Sequence, residues 1–225
     1  MPRREYQESL NELRSDVQEL GVSVLDRLEQ SLIALERGDT DLATEIIESD
    51  DEINDRYLEL ESDCIDLFAL QQPVASDLRF VAASFKILTD IERIGDLATN
   101  FGRYTLAADT ERTYEVDIVE IGTDARALVA DALDAYVTAD ADVCHEIAGR
   151  DDEIDALCQR ASERVVRNLI EREAAGDDPW SIEQLMDDVS RLLLTIRDLE
   201  RVADHGVNIA ARTLYMVEND PELIY

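Results

Sequence analysis

Apolar residues recur three and four positions apart along most of this chain, the spacing that keeps one face of an α-helix out of water. Leu10, Leu13, Val17, Leu20, Val24, Leu28, Leu32 and Leu35 set the pattern first and predict a helix over residues 4–37. Gly38 stops it, and Asp39-Thr40-Asp41 offers side-chain oxygens to cap the next. A second helix then runs to Leu70, where Gln71-Gln72-Pro73 breaks it, because proline brings no N–H for the following turn. A third is predicted over 74–107, a fourth over 115–137 and a fifth from Asp140 to Gly176. Asp178 caps the sixth, with Pro179 in a first turn that does not need its N–H and Trp180 anchoring the loop start.

These six helices fall into two halves of three. Asp39, Asp41, Glu45, Ile46, Asp50, Asp51, Glu52 and Ile53 match Asp140, Asp142, Glu146, Ile147, Asp151, Asp152, Glu153 and Ile154, each pair 101 residues apart. The third and sixth helices match at a separation of 108, which places a short insertion at Gly176-Asp177-Asp178-Pro179. Such self-similarity marks an internal duplication. The expected fold is all-α, two tandem three-helix bundles over residues 1–108 and 109–225.

The duplication repeats acids as well as apolar residues. Asp90-Ile91-Glu92-Arg93-Ile94-Gly95-Asp96, followed by Asn100, returns as Asp198-Leu199-Glu200-Arg201-Val202-Ala203-Asp204, followed by Asn208. At about 100° per residue, Glu92 and Asp96 share an azimuth with Val81, Phe85 and Leu88, and Glu200 and Asp204 with Val189, Leu193 and Ile196. The middle helix of each half adds a second pair, Asp50 with Asn54 and Asp151 with Asp155. Residues four apart stack roughly 6 Å from each other on one helix face. Two facing ladders of this kind make an oxygen-rich pocket for a hard or borderline metal such as Mg, Mn, Fe or Zn, because carboxylates on a core-facing stripe need a compensating charge. The competing reading gives that role to arginine: Arg93 and Arg201 follow the glutamates and could neutralise a neighbouring helix without metal.

Other chemistry finds little support. His145 and His205 are the only histidines, and neither sits in a nucleophile motif; His205, beside Asp204, is either a further ligand or an exposed helix residue. A di-iron oxidase would want paired Glu-x-x-His motifs, whereas only Asp142-Val143-Cys144-His145 comes close. No enzyme is expected. Cys64, Cys144 and Cys158 have no close spacing, and Cys64 and Cys158, at helix-stripe positions, read as small buried hydrophobes. The N-terminus has no signal-peptide core and no apolar run approaches ~18 residues, so a cytoplasmic location is expected. The third helix carries a second apolar face, Ile87, Ile91, Ile94, Ala98 and Phe101, which calls for the fourth helix, the other half or a homodimer partner to cover it.

Charge sharpens the setting. The formal net charge is -32 and the pI about 4.1, with 53 acidic residues against 21 basic ones, of which Lys86 is the only lysine. The acids are spread along the whole chain, which points to a protein that works in very high salt, where self-repulsion is screened, rather than to one with a basic partner or a cation-buffering surface. Direct contact with nucleic acid or an anionic membrane is disfavoured.

The stretch Gln72-Pro73-Val74-Ala75-Ser76-Asp77-Leu78-Arg79-Phe80, running into Thr89-Asp90-Ile91-Glu92-Arg93-Ile94-Gly95-Asp96-Leu97-Ala98, resembles the signature of the PhoU family, and Asp198–His205 with Asn208-Ile209 resembles its repeat. With the acidic composition, the resemblance suggests a haloarchaeal member. It implies a cytoplasmic, non-enzymatic negative regulator of phosphate uptake, acting on the ATPase subunit of the phosphate transporter, peripheral to the membrane only through that complex, with a sensor kinase as a further partner in bacteria. It also implies multinuclear iron or zinc bound through Glu/Asp-x-x-x-Asp motifs, with Mn or Mg as alternatives. Those motifs map onto Asp50, Asn54, Glu92, Asp96 and Asn100 in the first half and Asp151, Asp155, Glu200, Asp204 and Asn208 in the second. Asn54 departs from a strict acid and makes the first set the weaker one. Arg79 and Lys86 are candidates for phosphate or partner contact, against an intrachain ion pair and a solvated lysine.

Overall fold

A computed structural model of the chain describes residues 3–70, 74–108, 118–174 and 179–223. The predicted breaks at Gln71-Gln72-Pro73, Asp109-Thr110 and Gly176-Asp177-Asp178 lie outside them, as does the side chain of Trp180. The described residues form α1 (Arg3–Arg37), α2 (Thr40–Glu48), α3 (Asp50–Leu70), α4 (Ala75–Leu106), α5 (Ile118–Thr138), α6 (Ala141–Ala174) and α7 (Pro179–Glu218). The architecture is two tandem three-helix bundles, α1 with α2/α3 and α4, then α5 with α6 and α7.

The second predicted helix is in fact two, separated at Ser49. Ser49 keeps its own N–H bond to the Glu45 carbonyl, but its carbonyl accepts from Nη2 of Arg27 at 2.5 Å and, in a tighter three-residue turn, from the Glu52 N–H at 3.3 Å. A side chain from α1 thus ends α2, a long-range cause that helical periodicity does not carry. The matching helix α6 runs unbroken, with Arg150 in the place of Ser49 paired to Asp131 of α5. The cap read from Asp39 is present, its carboxylate accepting from the Leu42 N–H at 3.0 Å.

One continuous hydrophobic core spans both halves. The bundles meet through α1 against α5 and α4 against α7. Gly21 lies where an added Cβ would stand 2.8 Å from Leu133, and Gly122 where it would stand 2.5 Å from Leu32. Both glycines, and both leucines, are 101 residues apart, so the two contacts are the same contact repeated about an internal pseudo-twofold. The second apolar face of α4 is fully buried and packs on α7 of the other half, not on the fourth predicted helix, α5. Arg14 bridges the halves too: it donates to the Tyr136 and Val137 carbonyls at 2.9 and 3.0 Å and lies 4.7 Å from the centre of the Phe80 ring.

Candidate functional site

The acidic ladders line the rim of each bundle and not its core. Val81 and Leu88 are fully buried, Glu92 is half-buried and Asp96 is exposed. Geometry explains the departure from expectation: two consecutive four-residue steps each turn about 40° past a full turn, which carries the last acid off the apolar stripe. Glu200 and Asp204 follow the same drift on α7. Water therefore reaches both faces.

In the first half Asp50 already has its donors. Asp50, in the first turn of α3 where the helix dipole favours an acid, accepts from Nη1 of Arg27 at 3.4 Å and from the Thr99 hydroxyl at 2.7 Å, all on Oδ1. Arg27 is 9% exposed, and its guanidinium also holds the Ser49 carbonyl and hydroxyl. Glu92 and Asp96 face Asp50 from α4. Burial raises the Glu92 carboxyl above its usual range, with Asp96 and Asp50 adding repulsion; burial and then Asp50 raise Asp96. Asn54 is half-buried, and Asn100 accepts from Arg103 at 2.8 Å.

The second half has no such compensation. Burial first, then the charges of Asp155 and Asp204, push Asp151 up to about 7. Its Oδ1 is buried without a hydrogen-bond partner. Glu200 and Asp204 are raised by burial and by Asp155, with His205 and Arg201 acting the other way on Asp204. Asp151, Asp155, Glu200 and Asp204 thus lie within electrostatic reach of one another on this face. Cys158 lies buried beside it, its thiol pushed up to about 12 by burial and by Glu200 and Asp155, so it remains an uncharged thiol. Cys64 is also buried, as its stripe position suggests, and so is Cys144.

Among the described residues, no three Asp, Glu, His or Cys side chains stand together as a ready-made metal-holding group. The chemistry of the second donor set still fits a hard or borderline cation: four carboxylates, none in an ion pair among the described residues, and one buried oxygen with no donor there. The first set fits less well, because Arg27 and Thr99 already satisfy Asp50.

A separate polar network joins the halves, and the sequence reading passed over it. Asp90 and Asp198, the opening acids of the two repeated motifs, are buried between α4 and α7. His205, neither exposed nor turned to the ladder, is buried with Nδ1 2.9 Å from Asp90 Oδ1. Asn208 donates to the same oxygen at 3.3 Å, so it serves this contact. Asp198 accepts from the Tyr104 hydroxyl at 2.7 Å and from Arg197 and Arg201 at 3.2 Å each. Arg201 is thus held on its own helix. A signal was available: Asp90 is three residues from Ile87 and four from Ile94, on the second apolar face. Lys86 is exposed, while Arg79 is half-buried with its Nε lacking a hydrogen-bond partner and no ion pair among the described residues.

The PhoU domain model matches this chain twice, over residues 17–105 and 118–213, one copy in each bundle and each carrying one acidic face. The chain belongs to the PhoU family. A PhoU homolog of Clostridium acetobutylicum, described as a phosphate-specific transport system accessory protein, is 31% identical over 220 residues, 96% of either chain. A PhoU homolog of Methanothermobacter thermautotrophicus with the same description is 30% identical over 96% of this chain and 95% of its own. Among solved structures, PhoU of Pseudomonas aeruginosa superposes with a TM-score of 0.85 at 30% identity, covering 96% of this chain and 100% of that one. The phosphate transport system regulatory protein PhoU of Streptococcus pneumoniae gives 0.84 at 28%, over 96% and 98%.

Proposed function

We propose that this chain is a non-enzymatic accessory regulator of phosphate uptake, an adaptor that docks on the ATPase subunit of the phosphate transporter and lowers uptake when phosphate is plentiful. The observation that carries this reading is the full-length, two-copy PhoU match, together with relatives named for the phosphate-specific transport system. No described helix is long and apolar enough to cross a membrane, which agrees with attachment through a partner. A net charge of -32 disfavours anionic surfaces and supports work in multimolar salt, as in a haloarchaeal cell.

In the same reading the acidic faces take iron or zinc, with manganese and magnesium as alternatives. Asp151, Asp155, Glu200 and Asp204 hold the cation in the second half; Glu92 and Asp96, with Asp50, are the corresponding set in the first. A carboxylate-bound cation supplies open coordination positions and positive charge to which a phosphate oxygen can bind. The chain's own part is to hold α6 and α7 in register so that their carboxylates converge, and to leave that face open to water and to a partner. Arg79, with its unsatisfied Nε, and exposed Lys86 are the cationic candidates for partner or phosphate contact.

The test is co-purification with the transporter ATPase in multimolar salt, alongside phosphate uptake in a deletion strain. Derepressed uptake and a stable complex are expected; unchanged uptake with no complex contradicts the reading. A second reading, an adaptor that needs no metal, is favoured by the internal neutralisation of Asp50. Phosphate separates the two: it changes metal affinity only if both share the site.

A further inference from the structure

The duplication makes each half a natural variant of the other, and the differences concentrate on the acidic faces. By the register of the first helices, Leu128 stands in the place of Arg27. By that of the middle helices, Arg150 replaces Ser49 and Asp155 replaces Asn54; by that of the last, Val207 replaces Thr99. Each donor that satisfies Asp50 is therefore missing at Asp151, and the nearest arginine, Arg150, is engaged by Asp131. Asp151 keeps a buried oxygen with no partner. Asp50, Glu92 and Asp96 carry -3, offset at Asp50 by Arg27 and at Glu92 and Asp96 by Arg93, Arg103 and Arg201; Asp151, Asp155, Glu200 and Asp204 carry -4, offset at Asp204 by Arg201 and His205. A guanidinium that is 9% exposed and clamped by the Ser49 carbonyl and hydroxyl is not free to swing into solvent when an ion arrives.

We propose that Arg27 is the built-in cation of the first acidic face, so that cations from solution load the second face and leave the first to Arg27. Arg27 is a specificity-determining residue in this account: it occupies with fixed charge the place that a mobile ion takes in the other half, and it ends α2 in doing so. The inference rests on the reading that the acidic faces take cations, and it adds which face does so and why. A positive group within hydrogen-bond reach of Asp50 repels an incoming divalent ion and withdraws one of its ligands. Together these effects are expected to weaken divalent binding at the first face about tenfold or more.

The experiment is equilibrium dialysis of the full-length, metal-stripped chain against Mn2+ in multimolar KCl, with bound ion read by electron paramagnetic resonance and folding by circular dichroism. Wild type is expected to show one tight class of sites that is lost in D151N/D204N and kept in E92Q/D96N. Arg27→Gln, which keeps a neutral donor for the Ser49 carbonyl, is expected to gain a second class at least about tenfold tighter than any first-face binding in wild type. Val207→Thr, a near-isosteric change at a half-buried position, returns to Asp151 the hydroxyl that Thr99 gives Asp50 and weakens the tight class several-fold, which keeps the test decisive where Arg27→Gln does not fold. Equal loss of Mn2+ in E92Q/D96N and D151N/D204N overturns the assignment of Arg27 while leaving cation binding intact. No Mn2+ bound by any folded variant overturns cation binding itself.

Discussion

The two halves of this chain share a backbone plan and part company over charge. In each, an acid on the second helical segment faces two more on the neighbouring helix. The first half answers the repulsion from within, through Arg27 and Thr99 on Asp50, with an amide at Asn54 where the second half has Asp155. The second half leaves Asp151 without a donor and its carboxyl raised to about 7. Duplication has preserved what packing demands, down to the paired Gly21–Leu133 and Gly122–Leu32 contacts. It has not preserved what neutralises the acids. A pseudo-symmetric fold can thus neutralise an acid from within in one half and leave its equivalent without a donor in the other.

The comparison breaks most visibly at Arg27. Arg27→Ala removes two donors from the Ser49 carbonyl and hydroxyl and strips the partner from Asp50, an expected loss of about 3 kcal/mol in thermal or chemical denaturation at fixed salt. Truncating Arg150, its ion pair half-exposed, should change stability by less than about 1 kcal/mol. The glycine contacts sharpen the comparison from the other side, since there the halves should agree. Gly21→Ala and Gly122→Ala each force a leucine aside and are expected to destabilise by similar amounts, on the order of 1–3 kcal/mol; strongly unequal losses would show that the pseudo-twofold is only approximate at the interface.

Acidity separates the halves again. Because the folded state holds a proton on Asp151 up to about pH 7, while the unfolded chain releases it near the ordinary aspartate value, the folded form binds more protons between these limits. Stability of the metal-free chain should therefore fall as pH rises from about 4 to about 7. Asp151→Asn should remove that contribution and stabilise the metal-free chain at pH 8 by about 1 kcal/mol, once solvent screening at a half-buried site is allowed for. Asp50→Asn should destabilise at the same pH, because it leaves Arg27 buried without its carboxylate. The smallest effect concerns the turn after the first helix of each half. Gly38 and Ala139, equivalent positions, both adopt positive φ, at 63° and 56°. Ala139→Gly should stabilise by about 1 kcal/mol, and Gly38→Ala should cost about as much.

Most of the fold was legible because amphipathic helices, caps and a duplication all declare themselves locally. What escaped the sequence came from contacts across it. The break at Ser49 depends on a side chain 22 residues earlier, on another helix. The acids read as core-facing drift to the rim, because sharing an approximate azimuth with Leu88 does not survive two further steps of four. The ladder residues do act on one another electrostatically: Asp50 on Glu92 and Asp96, and Asp155, Glu200 and Asp204 on Asp151. Asn208 goes elsewhere, to Asp90, and His205 with it. Arg27 was invisible as a site residue, since an arginine inside an otherwise regular helix carries no motif; only setting it against Leu128 in the duplicate exposes it.

The most direct measurement is an anomalous difference map from crystals of the metal-stripped protein soaked in Mn2+. The account predicts Mn2+ among Asp151, Asp155, Glu200 and Asp204, with Arg27 still on Asp50 and Ser49. Mn2+ on Glu92 and Asp96 at equal occupancy, with Arg27 displaced from Asp50, would contradict it.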